Sequence, residues 1–238
     1  MPFGRSGVAQ ASHGPVLDAL GVRIASGALA PGSVLTLAGL ETEYGVSRTV
    51  IREAVRVLEA MGMLSSRRRV GITVRPVAEW SALDTRLIDW QLRGPRRDQQ
   101  LIVVTELRAA IEPIAARLSA QRASDVQRAE IVRLAARLEE LGNAGEGASE
   151  EYLDVDVAFH DLILDASGNL MLAATKAPIA AVIAGRSHLG LTPGVPYSEA
   201  LHNHVATADA IARGDADGAE LHTRRYVEAV LSEVRGVR

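Results

Sequence analysis

The sequence predicts a mostly α-helical protein in two parts: three helices closed by a β-hairpin, then an all-helical bundle. Three observations predict it. Apolar residues recur at helical spacing along most of the chain. A single strand-like run, MLSSRRRVGITVRP with Val70, Ile72, Thr73 and Val74 around Gly71, falls early. The charge divides near the same point: residues 1–77 hold 9 Arg and 5 acidic residues, net +4, and residues 78–238 hold 17 basic and 24 acidic residues, net −7. A basic head on an acidic body predicts that the head alone meets a polyanion.

Taken in order, residues 1–12 read as a flexible N-terminus, 13–76 as the head and 77–238 as the body. Val16, Leu17, Leu20 and Ile24 predict a helix over Val16–Ser26, broken by Gly27, Pro31 and Gly32. A short helix follows over Leu37–Tyr44, ended by Gly45. Ser47 is placed to cap a third helix reaching Met61, with Ile51, Val55 and Leu58 as its apolar stripe. Beyond Val77, helices are predicted over Trp80–Leu92, Gln99–Gln121, Ser124–Leu141, Ser149–Ala166, Leu170–His188, Tyr197–Arg213 and Ala216–Val234. Trp80 and Trp90 are expected to pack the first of these.

At 238 residues and 47% hydrophobic, the chain can build a real core. It has no cysteine, which removes disulfides, thiolate metal sites and cysteine nucleophiles, and suits a reducing cytoplasm. No signal-peptide stretch and no run of about 18 apolar residues is read, so no membrane span is expected.

The third helix opens with polar chemistry. Arg48 and Arg52 share a face away from the apolar stripe, and in a helix-turn-helix the first turns enter the major groove, where Arg donates to guanine. Ser47, Thr49 and the helix-start N–H groups suit phosphate oxygens, and Arg67, Arg68 and Arg69 form a basic wing. The stretches SGALAPGSVL, YGVSRTVIREAVRVLEAMGML and RRRVGITV resemble the winged helix-turn-helix of the GntR family of bacterial transcription regulators. Val50 stands where that family usually has proline, and Val55 where leucine usually packs. The resemblance implies operator contacts from Arg48, Arg52 and the wing.

In the body, Asp156 and His160 lie one helical turn apart and His204 lies on another helix. Read alone, the pair is a core hydrogen bond or half of a site for a divalent transition metal, for which imidazole and carboxylate are the ligands this cysteine-free chain retains. The stretches ELRAAIEPIAARLSAQRAS, DVAFHDLILDASGN and HVATADAIARGDADGAELHTRRYV are similar to the FadR-like branch, whose FCD-type helical domain senses small molecules. That resemblance implies metal ligands at Asp156, His160 and His204 for Zn, Mn or Ni, with a fourth histidine position falling on Tyr226. Three outcomes stay open: a three-ligand site completed by water or effector, a site rebuilt with His222, or a metal-free pocket in which Tyr226 donates to ligand. Arg108 matches a carboxylate-pairing arginine of relatives, or else pairs with Glu112 on the helix surface. The resulting expectation is a homodimeric repressor of a metabolic operon that senses a small carboxylate such as a sugar acid. A metal-free acyl sensor and a metal-dependent hydrolase or lyase are its alternatives.

Overall fold

The structure, a computed structural model, describes residues 13–196 and 198–236, so the segment 1–12 expected to be flexible lies outside the described residues. The chain forms two compact units, the first ending at Pro95 and the second beginning at Arg96.

The first unit contains α1 (His13–Ala25), β1 (Val34–Leu35), α2 (Leu37–Tyr44), α3 (Arg48–Ala60), β2 (Leu64–Arg67), β3 (Gly71–Val74) and α4 (Thr85–Leu92). Thr36 caps α2, its hydroxyl accepting from the Gly39 N–H at 3.0 Å. Gly45, at φ 65°, ends it in the left-handed conformation that glycine adopts without strain. Ser47 does occupy the N-cap position of α3, but its hydroxyl makes no capping bond. Ile51, Ala54, Val55 and Leu58 turn inward from α3 to a core shared with Leu17, Leu20 and Ile24. The expected hairpin forms from β2 and β3, and β1 adds a third antiparallel strand in the order β1-β3-β2, with Val34 opposite Thr73. A two-residue strand is too short for alternation to reveal.

Two expectations are corrected at the end of this unit. The helix read over Trp80–Leu92 begins only at Thr85, because Asp84 is the cap: its carboxylate accepts from the Arg86 N–H at 2.9 Å. Trp80 is extended and donates from Nε1 to the Arg75 carbonyl at 3.0 Å. The first compact unit runs on to Pro95, beyond the junction expected at 76/77, because Leu87 and Trp90 of α4 pack into the first core. Trp90 is fully buried, its Nε1 donates to Asp18 at 3.2 Å, and its ring lies so close to α1 that a Cβ on Gly21 would meet it at 2.5 Å.

The second unit is helical: α5 (Arg97–Arg122), α6 (Asp125–Asn143), α7 (Glu150–Ala166), α8 (Leu170–Ala173), α9 (Lys176–His188), α10 (Ser198–Arg213) and α11 (Ala216–Val234). Ser124 and Gln127 form a capping box at the start of α6. The single helix expected over Leu170–His188 is divided at Ala174–Thr175. Pro178 has no N–H to continue the ladder, and its ring would strike the Ala174 carbonyl, so it sits in the first turn of α9 instead. By length and composition alone that stretch is apolar enough to cross a membrane. Divided, it places Ile179 and Val182 fully out of solvent. Helix α5 packs along α11 and against α7, α9 and α10. Its buried stripe, Leu101, Val104, Arg108, Glu112, Ala115 and Ser119, follows helical spacing, with two charges in its middle.

Candidate functional site

Two places concentrate chemistry, one in each unit. In the first, the start of α2, the outer face of α3 and the hairpin enclose a groove walled by Arg48, Arg52, Arg67, Arg68 and Arg69. All five side chains are exposed, as are Ser47 and Thr49 at the start of α3. Arg56, one turn beyond Arg52, joins the same wall and pairs with Glu53 at 2.8 Å. Sequence reasoning passed over Arg56, although its spacing from Arg48 and Arg52 puts it on the same face. Glu59 ties the wing to α3 by accepting the Ser66 N–H at 2.7 Å. At the hairpin tip Arg69 has φ 69°, a left-handed backbone that a residue with a Cβ adopts at a cost of about 1–2 kcal/mol. Such strain concentrates where side-chain placement matters.

In the second unit a cavity of ≈ 380 Å³ opens between α5, α7, α9, α10 and α11, beside the segment holding Thr192, Pro193 and Pro196. Asp156 and His160 project into it from α7 and His204 from α10. Asp156 Oδ1 lies 3.4 Å from His160 Nε2 and 3.7 Å from His204 Nε2. One ligand atom from each residue falls within 4.8 Å of the others. The far nitrogens are held by protein acceptors: His160 Nδ1 lies 3.1 Å from Glu112 Oε2, and His204 Nδ1 lies 2.8 Å from the Ala200 carbonyl. Anchoring Nδ1 fixes the ring orientation and directs Nε2 inward, the arrangement that imidazole metal ligands use.

Glu112 organises this floor. Its two oxygens receive Arg108 Nε at 2.5 Å and Nη2 at 3.4 Å, and one of them also receives the Tyr226 hydroxyl at 3.4 Å. Burial alone would raise the Glu112 carboxyl, but Arg108 and His160 outweigh it and hold the group at about 2. Asp156 is likewise held at about 2: burial opposes its charge, and His160, His204 and Arg108 favour it. Burial also disfavours a charged His160, yet Glu112 and Asp156 raise that imidazole to about 9. Arg108 Nη2 stands 3.3 Å from the same Nε2 and favours a bare lone pair there. Two carboxylates against one guanidinium that Glu112 already neutralises decide for the proton. His204 is shifted the other way, burial holding it neutral against the pull of Asp156. Burial pushes the Tyr226 phenol well above its ordinary range, so it stays a proton donor, stacked on His204 at 4.4 Å between ring centroids.

The donor set therefore suits a divalent transition metal: a carboxylate, a neutral imidazole with its lone pair facing inward, and a second imidazole that gains a lone pair on giving up one proton. The Tyr226 hydroxyl lies 3.4 Å from Glu112 Oε2, and burial keeps the phenol protonated. His222, expected at the effector site, does not line the cavity; its Nδ1 lies 3.0 Å from Asn203 Oδ1. Arg108 lies at the cavity wall, but its pair with Glu112 is buried, with side chains only 4% and 3% exposed, rather than a surface bridge. Glu112 went unrecognised as a site residue, although its place on the buried stripe of α5 was readable from spacing.

An arginine-walled winged helix joined in one chain to a helical bundle with a polar cavity defines a ligand-responsive DNA-binding regulator. Residues 14–74 match the bacterial regulatory proteins of the gntR family, and residues 103–229 match the FCD domain. The galactonate operon transcriptional repressor of Escherichia coli (strain K12) is 29% identical over 209 residues, covering 86% of this chain and 89% of its own. The HTH-type transcriptional regulator YieP of the same organism is 31% identical over 204 residues, covering 85% and 86%. The solved structure of Lar, which controls expression of the Listeria monocytogenes agr system, superposes with a TM-score of 0.64 at 14% identity, covering all of both chains. The chain belongs to the GntR family of bacterial regulatory proteins and carries an FCD domain; it is a transcription regulator and not an enzyme.

Proposed function

We propose that the protein is a homodimeric, cytoplasmic repressor of a metabolic operon, released or engaged by a small carboxylate bound in the FCD cavity. The observation that carries the effector half is the convergence of Asp156, His160 and His204 on one point of a cavity large enough for a small ligand. The relatives' names support the class: one represses a galactonate operon, and another is a putative regulator of an L-lactate dehydrogenase operon. Asp156, His160 and His204 would hold Zn, Mn or Ni, and the metal would offer a ligand oxygen an open coordination position. Glu112 and the Ala200 carbonyl orient the two rings, and Tyr226 keeps its proton.

On DNA, Arg48 and Arg52 would read base edges from α3 in the major groove, and Ser47, Thr49 and the wing arginines Arg67, Arg68 and Arg69 would hold phosphates. Two heads on a pseudo-palindrome require a dimer. The test is an operator titration of the Arg48→Ala/Arg52→Ala variant. A loss of specificity of on the order of tenfold or more supports the reading, and unchanged affinity and specificity refute it.

A second reading has its own observation: His160 sits between two carboxylates and is satisfied as an imidazolium without any ion. In that reading the cavity is metal-free, and the cluster meets the effector directly. Elemental analysis of chelator-free protein, with thermal shifts on adding Zn²⁺, Mn²⁺ or Ni²⁺, separates the two. Stoichiometric metal and a saturable shift support the metal centre; neither supports the metal-free pocket.

A further inference from the structure

Almost every buried polar side chain that lines the cavity already has a protein partner. Arg108 and the Tyr226 hydroxyl go to Glu112, and Arg186 donates to Glu233 at 2.7 Å. His160 lies between Glu112 and Asp156, and His204 Nδ1 meets the Ala200 carbonyl. Tyr152 differs. It lines the cavity from α7 and is only 6% exposed, yet among the described residues its hydroxyl makes no hydrogen bond. Unlike the sealed and unpartnered Ser119 hydroxyl, its oxygen keeps accessible surface, and at a cavity wall that is where a ligand atom can reach it. Burial, with Asp156 adding to it, pushes the phenol up, so it keeps its proton and acts as a donor.

The place of Tyr152 on its helix sets what it can recognise. It stands one turn before Asp156 on the same face of α7, a spacing that puts Cβ atoms about 5–6 Å apart. No hydrogen bond joins its hydroxyl to the Asp156 carboxylate, so the hydroxyl and the Asp156–His160–His204 cluster are distinct polar points on one wall. A ligand meets both by placing its carboxylate at the cluster and a hydroxyl further along its chain at Tyr152. At ≈ 380 Å³ the cavity has room for a chain of that length. Water can satisfy the phenol while the cavity is open. An apolar chain that displaces this water leaves a buried donor without an acceptor, and affinity is lost; a hydroxylated chain replaces the bond.

We propose that Tyr152 is a specificity-determining residue of the cavity: its hydroxyl donates to a chain hydroxyl of a polyhydroxylated carboxylate and disfavours an unsubstituted acyl chain. This rests on the reading of the cavity as an effector site for a carboxylate. It goes further by choosing between two ligand classes that share the carboxylate, sugar acids and aliphatic acids, and it names the side chain that separates them.

The test uses the full-length protein and Tyr152→Phe, which removes one oxygen and keeps the ring. D-galactonate, D-gluconate and D-xylonate are titrated calorimetrically beside L-lactate and hexanoate, the last having a carboxylate and no hydroxyl, each with and without Zn²⁺. The expected result is that at least one sugar acid binds the wild type saturably and more tightly than hexanoate. Tyr152→Phe should weaken that sugar acid by about three- to tenfold, the worth of one hydrogen bond, and leave hexanoate unchanged or tighter. A merely structural role for Tyr152 would weaken both ligands alike, and that result overturns the proposal. If a sugar acid binds and Tyr152→Phe leaves its affinity unchanged, the Tyr152 assignment is overturned and the carboxylate reading survives. If hexanoate outbinds every sugar acid, or only hexanoate or L-lactate binds, the outcome is the same. If none of the probes binds, both fall together. The preference of the wild type is read without any variant, so a Tyr152→Phe chain that fails to fold does not shelter the proposal.

Discussion

Glu112→Ala is the most informative single perturbation of the bundle. It removes one side chain and strands three groups: the buried Arg108 cation, His160 Nδ1 and the Tyr226 hydroxyl. Removing one partner of a buried ion pair costs about 3–5 kcal/mol, because the remaining charge has no solvent to turn to. In a chain of this size about 1 kcal/mol moves the melting temperature by about 2–4 °C, so a fall of about 6–20 °C is expected. The double variant Arg108→Met/Glu112→Leu removes both charges at once and should regain more than half of that loss, since apolar replacement of a whole pair is often neutral. The pH dependence has a definite sign. Glu112 is held at about 2 against an ordinary 4.5, so its contribution is complete above 4.5 and fades as pH falls from there toward 2. Thermal melts of wild type and variant from neutral to acid pH should therefore converge at the acid end. A single variant costing under about 1 kcal/mol, or a double variant costing as much as the single, would refute the account of Glu112 as the organising acceptor.

Three further outcomes follow from the first unit. Replacing Arg67, Arg68 and Arg69 together by Ala should lower the slope of log affinity against log salt by about 0.9 for each phosphate left without its arginine, measured by operator titration across salt concentrations. Arg69→Gly should relieve the left-handed strain at φ 69° and stabilise the isolated turn by up to about 1 kcal/mol, yet weaken operator binding. Stabilisation and weaker binding moving in opposite directions is the signature to look for in paired melting and binding experiments. Gly21→Ala would drive a methyl to 2.5 Å from the Trp90 ring and should cost about 1–3 kcal/mol by overpacking, read as a drop in melting temperature.

The head was almost fully legible because its instructions are local. Gly45, the α3 stripe and the hairpin each act within a few residues, and the helix Leu37–Tyr44 is found where periodicity put it. What the sequence hid was tertiary. Strand β1 is defined only by its pairing with Thr73 and Ile72, and the membership of α4 only by Trp90 closing over Gly21. In the body, Asp156, His160 and His204 were legible as inward polar residues and do meet. The burial of Glu112 was legible too, since Leu101, Val104, Arg108, Glu112, Ala115 and Ser119 lie on one face, but an Arg and a Glu one turn apart read more readily as a surface pair. Nothing local in Arg186 signals its pairing, since Glu233 lies 47 residues away.

In the metal-bound reading, Tyr226 would decide what kind of metal centre this cavity holds. A site with four protein ligands is closed, whereas one with three keeps a position that a small molecule can enter. Beside Asp156, His160 and His204 stands the Tyr226 phenol, which burial keeps protonated, its hydroxyl 3.4 Å from Glu112 and its ring 4.4 Å from His204 and 5.6 Å from His160. In the metal-bound reading, the carboxylate that orients His160 would also hold the Tyr226 hydroxyl. Tyr226→His places an imidazole in that space and removes the proton donor. It is expected to raise Zn²⁺ affinity by on the order of tenfold, one added ligand being worth at least as much as a lost orienting residue, and to weaken any carboxylate that stabilises the wild type, because the open position is filled. Competition of Zn²⁺ against a chromogenic chelator reads the first effect, and melting with added L-lactate or D-galactonate reads the second. Tighter metal together with undiminished carboxylate binding would mean that the effector never uses the metal.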